Sequence, residues 1–178
     1  MTPKMGQLYK WSLRKTNYSI DQVSWNKFWH LFSKLIAMKN IIKIFILDDD
    51  RYYGHFLKNS LKNDKYDIRY FQNENECLNC LTENPDILIL DHILEYTTGL
   101  EVLDEVQRQS QRKINVIYLS AQEHVHIAIK AMAEGAITYI EKTGNATETI
   151  NQAIENIIKL TKNFTVNLKL QEFRKQHL

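Results

Sequence analysis

The chain has 178 residues, 44% hydrophobic and 25% charged, with two cysteines; this is the make-up of a soluble globular domain with a short appendage, and it excludes a disulfide scaffold. No apolar run approaches the ~18–20 residues of a membrane span. The net charge of +2 is unevenly spread: seven Lys/Arg against one Asp over residues 1–40, eleven basic against nineteen acidic over 41–158, and five against one over 159–178, so the acidic body is not a nucleic-acid surface.

Residues 1–40 form a basic, aromatic-rich extension. It lacks the apolar stretch and small-residue cleavage site of a secretory signal, which points to the cytoplasm. Over 21–37 the sequence DQVSWNKFWHLFSKLIA predicts a helix with Trp25, Phe28, Trp29, Phe32 and Leu35 on one side. Such a helix suits packing on its own domain, a protein partner or an acidic membrane. Met38 also reads as a start in its own right, which would make 1–37 residues from an early start site.

From residue 41 the pattern turns regular. IIKIFIL (41–47) is a β-branched apolar run of strand length. RYYGHFLKNSL (51–61) predicts a helix capped by Asp50, with Tyr52, Phe56 and Leu57 on one face. YDIRYF (66–71) alternates as an edge strand does. NENECLNCL (73–81) is a short helix carrying Cys77 and Cys80. Their C-x-x-C spacing could supply two zinc ligands, but no second pair is in sight, and a buried or half-buried apolar role fits better. DILIL (86–90) is a strand, and GLEVLDEVQRQ (99–109) a helix with Leu100, Leu103 and Val106 in step. INVIYL (114–119) is followed by the helix HVHIAIKAMAEGA (124–136), whose His124 and His126 read as surface residues. ITYIE (137–141) and ATETINQAIENIIKL (146–160), striped by Ile150, Ile154, Ile157 and Ile158, complete the domain at about residue 161. Residues 162–178 form a basic tail with too few residues for a helix-turn-helix output module, so the chain reads as a stand-alone domain that works through partners.

Strand and helix alternate five times, which defines an α/β doubly wound parallel sheet covered on both faces. Ligands of such sheets bind at the carboxyl ends of the strands. There stand Asp48 and Asp49 after the first strand, Asp91 after the third, Ser120 with the small Ala121 after the fourth, and Lys142 after the fifth. Clustered carboxylates are tolerated beside a divalent cation, and all-oxygen ligands favour Mg²⁺ or Mn²⁺. A lysine and a hydroxyl aimed at the same point suit a phosphoryl group.

In this order and spacing, ILDDD (46–50), ILILDHIL (87–94) with GLEVL (99–103), YLSA (118–121), EGA (134–136) and TYIEK (138–142) resemble the receiver domain of two-component response regulators. The resemblance covers about 40–160 and implies a flavodoxin-like sheet of order 2-1-3-4-5. It implies that Asp91 accepts a phosphoryl group from a histidine kinase or phosphotransfer protein. Asp48, Asp49, Asp91 and the Ile93 carbonyl would bind Mg²⁺, while Ser120 and Lys142 would contact the phosphoryl oxygens. Tyr139 matches the aromatic switch residue that follows Ser120 inward.

The implied protein is a phosphorylation-dependent switch acting on a downstream protein, without an external substrate, without direct DNA binding, and with helix 4, strand 5 and helix 5 available for a homodimer. Two departures stand out: Thr143 replaces the usual proline after the lysine, and Glu95 replaces one common after the acceptor. A rival reading is a receiver-like adaptor that binds partners without phosphate turnover. An aspartyl phosphatase of the haloacid-dehalogenase type fits less well, since Asp48-x-Asp50 is followed by Arg51 and Tyr52, and a dinucleotide enzyme lacks its G-x-G-x-x-G.

Overall fold

A computed structural model describes residues 41–177, apart from 111 and 122–124. The extension over 1–40, its expected helix and His124 lie outside the described residues. Five parallel strands, β1 (Ile42–Leu47), β2 (Tyr66–Phe71), β3 (Ile87–Asp91), β4 (Asn115–Ser120) and β5 (Ala136–Glu141), form one sheet of order β2-β1-β3-β4-β5. The helices are α1 (Arg51–Leu61), α2 (Glu74–Asn79), α3 (Gly99–Gln109), α4 (Val125–Ala133) and α5 (Ala146–His177), with a 3-10 turn at Leu81–Glu83. Each strand bound lies within one residue of the expectation from the sequence, and the doubly wound architecture is as expected. Among the described residues no helix is long and apolar enough to cross a membrane.

The strand compositions follow from position in the sheet. In β1, β3 and β4 nearly every residue is buried, because helices cover both faces; edge strand β2 alternates instead. Successive side chains point to opposite faces, so each strand feeds two cores. Phe45, Leu47, Leu88, Leu90, Val116 and Tyr118 pack with Cys77 of α2, Leu103 and Val106 of α3 and Ala131 of α4. Ile44, Ile46, Ile87, Ile89, Ile117 and Leu119 pack with Leu57 and Leu61 of α1 and Ile150, Ile154 and Ile157 of α5. Cys77 is thus a core residue and Cys80 is half-buried, both free thiols.

Two expectations need correction. The seated face of α1 is Gly54, Leu57 and Leu61, not Tyr52, Phe56 and Leu57; Tyr52 is 90% exposed and Phe56 55%. The Tyr70 ring of β2 decides this, since it lies where a side chain at Gly54 would be, 2.1 Å from an ideal Cβ. The last helix does not stop near 160 but runs through the expected tail to His177. Residues 161–177 contain no Gly or Pro to break it, and the Thr161 and Thr165 hydroxyls donate to the carbonyls four residues back at 2.9 Å each. The unit that carries the sheet extends to Lys169.

Candidate functional site

Asp91 and Ser120 are the last residues of β3 and β4, Asp48 and Asp49 follow β1, and Lys142 follows β5. The registers Leu47↔Leu90, Asp91↔Leu119 and Ser120↔Glu141 bring these strand ends side by side. Among the described residues the buried polar or charged side chains are Asp48, Asp91 and Ser120, at the mouth of an otherwise apolar sheet. Lys142 Nζ bridges the two carboxylates, 2.7 Å from Asp48 Oδ2 and 2.9 Å from Asp91 Oδ1. The Lys142 N–H also donates to the Ser120 carbonyl at 2.7 Å, tying the lysine to the end of β4. Asp48 Oδ1 accepts from the Asp50 N–H at 3.0 Å. Asp50 itself caps α1, accepting from the Tyr52 and Tyr53 N–H groups at 2.8 and 3.1 Å.

The cluster lacks positive charge. Burial raises Asp48 from its ordinary 3.8 to about 6, against the pull of Lys142 and with added repulsion from Asp91. Burial likewise raises Asp91, again opposed by Lys142, with the Asp49 charge adding to the rise. Lys142 is also raised: burial works against its charge, but its bonds and attraction to Asp48 and Asp91 outweigh it. In a balanced ion pair the carboxylates would be lowered as the lysine rises. Here they are not, because one ammonium serves several carboxylates in a desolvated place. Asp48, Asp49 and Asp91 each offer an oxygen, and these lie within 4.8 Å of one another. Excess negative charge, hard oxygen donors and close spacing fit a divalent cation such as Mg²⁺.

The other expected residues have definite places. Ile93 stands two residues past Asp91, its side chain exposed and its backbone in an isolated bridge with Thr98. Glu95 is exposed in a turn closed by the Leu94 N–H on the Thr97 carbonyl at 3.2 Å, so the turn forms without proline. The described residues contain no cis peptide, so Lys142–Thr143 is trans. Tyr139 is half-buried and stacks on Tyr118, with ring centroids 6.2 Å apart and planes at 17°.

Several residues around the site escaped the sequence. The Tyr53 ring covers the Lys142 ammonium, 4.4 Å from Nζ to the centroid. Tyr70 Oη donates to the Asp48 carbonyl at 3.0 Å across the gap that Gly54 leaves. His92 Nδ1 and Tyr118 Oη are 2.8 Å apart, linking the residue after Asp91 to the stacked pair of tyrosines. Gly99 is required by space: an added Cβ would lie 2.1 Å from the Asp91 carbonyl oxygen and 2.8 Å from Tyr118 Oη. Each of these contacts joins two different elements of the fold, so none left a signal within one segment of the sequence.

A parallel 2-1-3-4-5 sheet with an acidic cluster and a lysine at its carboxyl edge is the arrangement of a receiver-type α/β fold, and the comparisons point to the same family. The family model of the response regulator receiver domain matches residues 44–155, and the chain belongs to that family. Among curated proteins, the transcriptional regulatory protein PcoR of Escherichia coli is 27% identical over 109 residues, 61% of this chain and 48% of that protein. The chain spans about half the length of this relative. A Francisella response regulator receiver domain superposes with a TM-score of 0.61 at 22% identity, covering 67% of this chain and 98% of the other. The receiver domain of a LuxO-type repressor from Vibrio parahaemolyticus gives 0.64 at 21%, covering 70% and 95%. At these identities the structural likeness speaks for the fold.

Proposed function

We propose that the protein is a phosphorylation-dependent signalling switch whose acceptor is Asp91. The observation that carries this reading is the Lys142 ammonium bridging Asp48 and Asp91 at 2.7 and 2.9 Å, beside a third carboxylate. A histidine kinase or phosphotransfer protein serves as donor. Asp91 attacks phosphorus, the P–N bond breaks, and the imidazole leaves with the bonding pair. Lys142, released from part of its pairing with Asp91, holds a phosphoryl oxygen, and the Ser120 hydroxyl donates to another. Asp48, Asp49, Asp91 and the Ile93 carbonyl would hold Mg²⁺, which would supply positive charge against the transferred group.

The consequence travels to the α4–β5–α5 face. Ser120 moves toward Asp91 and Tyr139 takes the space behind it. On α4, Val125, Ile129 and Met132 are exposed at helical spacing, a surface for a downstream protein or a second copy. The site works on its own aspartate, not on an external metabolite. The experiment is treatment with acetyl phosphate and Mg²⁺ followed by mass spectrometry. One phosphoryl group should appear on the wild type and none on Asp91→Asn, whose amide is a poor nucleophile. The same adduct on the variant would place the chemistry elsewhere.

A further inference from the structure

Tyr53 has no part in the mechanism so far, yet it is built into the site. It follows Asp50 in the first turn of α1, where its N–H bonds to that cap. Its ring rests on the Lys142 ammonium. Its hydroxyl is closed off from solvent and has no hydrogen-bond partner among the described residues. Two other side-chain atoms share that condition, Ser110 Oγ and Glu134 Oε2. Both lie just past the C-terminal ends of α3 and α4, at the opposite edge of the sheet.

A buried hydroxyl without a partner is unfavourable, and folds rarely keep one without a use for it. The neighbours of Tyr53 indicate which use: its ring lies on the same ammonium that pairs with Asp91 at 2.9 Å. Burial first, and then the Asp48 and Asp91 charges, raise its pKa, while Lys142 lowers it. The hydroxyl therefore stays protonated, a donor on a ring that rests against the partner of Asp91. Before transfer, Asp91 is engaged by Lys142. After transfer, three terminal oxygens occupy the same neighbourhood and accept more hydrogen bonds than Lys142 and Ser120 supply.

We infer that Tyr53 is a phosphoryl-binding residue: its ring steadies the Lys142 ammonium, and its O–H donates to an oxygen of the group carried by Asp91. This rests on the proposed phosphorylation of Asp91.

The test uses the full chain with Mg²⁺ and beryllofluoride, which mimics the phosphoryl group, followed by ¹⁹F NMR and calorimetry. Tyr53→Phe keeps the ring and removes the donor. It should weaken beryllofluoride binding about tenfold, the loss of one hydrogen bond to a charged group, with the affinity for Mg²⁺ alone within about twofold of wild type. Tyr53→Leu also removes the ring, so the Lys142 ¹⁵Nζ resonance should shift already without ligand, whereas in Tyr53→Phe it should hold. Wild-type beryllofluoride affinity in Tyr53→Phe would overturn the inference. So would an equal loss for Mg²⁺ alone, which would assign the hydroxyl to the cation's waters. If the wild type takes up neither beryllofluoride nor a phosphoryl group, the reading of Asp91 itself falls, and this inference with it.

Discussion

Asp48 stands at the end of a strand whose last four residues are fully buried, and it is itself 1% exposed. Burial pushes its carboxyl up from an ordinary 3.8 to about 6 in the fold. A carboxyl with a raised folded pKa holds its proton more tightly in the native state. Its contribution to stability is therefore full below pH 3.8 and lost as pH rises through 6. Above that range the ionised group costs the metal-free fold on the order of 3 kcal/mol. Asp91, raised by the same burial, acts in the same direction. Asp48→Asn should raise the unfolding free energy of the metal-free protein by about 1–3 kcal/mol at pH 7.5 and change it little at pH 4. Urea denaturation at the two pH values reads this directly. Mg²⁺ should stabilise the wild type more than the variant. A variant less stable than wild type at pH 7.5 would mean that pairing with Lys142 outweighs desolvation.

Among the elements, α3 and α1 show how a glycine brings a helix against the site. The first residue of α3 is Gly99, set against the Asp91 carbonyl, and its N–H donates to the His92 carbonyl at 2.7 Å. Thr98 and Glu101 close a capping box on that turn, the Glu101 N–H meeting Thr98 Oγ1 at 3.4 Å and the Thr98 N–H meeting Glu101 Oε2 at 3.1 Å. Ala at 99 gains at most about 1 kcal/mol of helix propensity, but its Cβ meets a backbone oxygen that cannot rotate away. Gly99→Ala should therefore cost about 1–3 kcal/mol net and shift the Asp91 amide in NMR spectra. At Gly54 the obstacle is a side chain, the Tyr70 ring. Gly54→Ala should displace that ring, and Tyr70→Ala in the same chain should recover part of the loss. Additive effects of the two changes would show that the ring and the helix do not meet.

Across the whole molecule, packed aromatic groups join the site to β5. His92 follows Asp91 and contacts Tyr118 Oη; Tyr118 is fully buried and stacks on Tyr139 of β5. Burial and then the Asp91 charge hold the Tyr118 phenol above its ordinary range, so it remains a neutral partner for His92. In the proposed switch, a change in charge at Asp91 would reach Tyr139 by two routes, one through this stack and one through Ser120. Phosphorylation can shift such an equilibrium only by its differential affinity for the two states, typically ~1–3 kcal/mol. Beryllofluoride with Mg²⁺ should move the amide resonances of α4, β5 and α5 in the wild type. The movement should be smaller in Ser120→Ala and smallest in the Ser120→Ala, Tyr139→Ala double variant. Shifts as large in the double variant as in wild type would place the coupling on another route.

Much of this was legible in the chain because two periodicities are local. Continuous apolar runs marked β1, β3 and β4 as strands of a sheet covered on both faces, and since ligands gather at strand ends, Asp48, Asp49, Asp91, Ser120 and Lys142 could be assigned to one place before any contact was known. The end of α5 was misjudged because a basic, weakly striped segment gives no stop signal of its own, and with neither Gly nor Pro the helix simply continued. The seated face of α1 was not legible for a different reason. Tyr52, Phe56 and Leu57 form a plausible apolar stripe, but which stripe is buried depends on the Tyr70 ring of a neighbouring strand entering the space at Gly54. That same rotation, set by tertiary packing, carries Tyr53 onto Lys142, a residue 89 positions further along the chain. The acids and the lysine of the site are thus written in the order of the strands. The aromatic groups around them were decided by how the helices and strands came to rest against one another, because a contact between distant segments leaves no period in either.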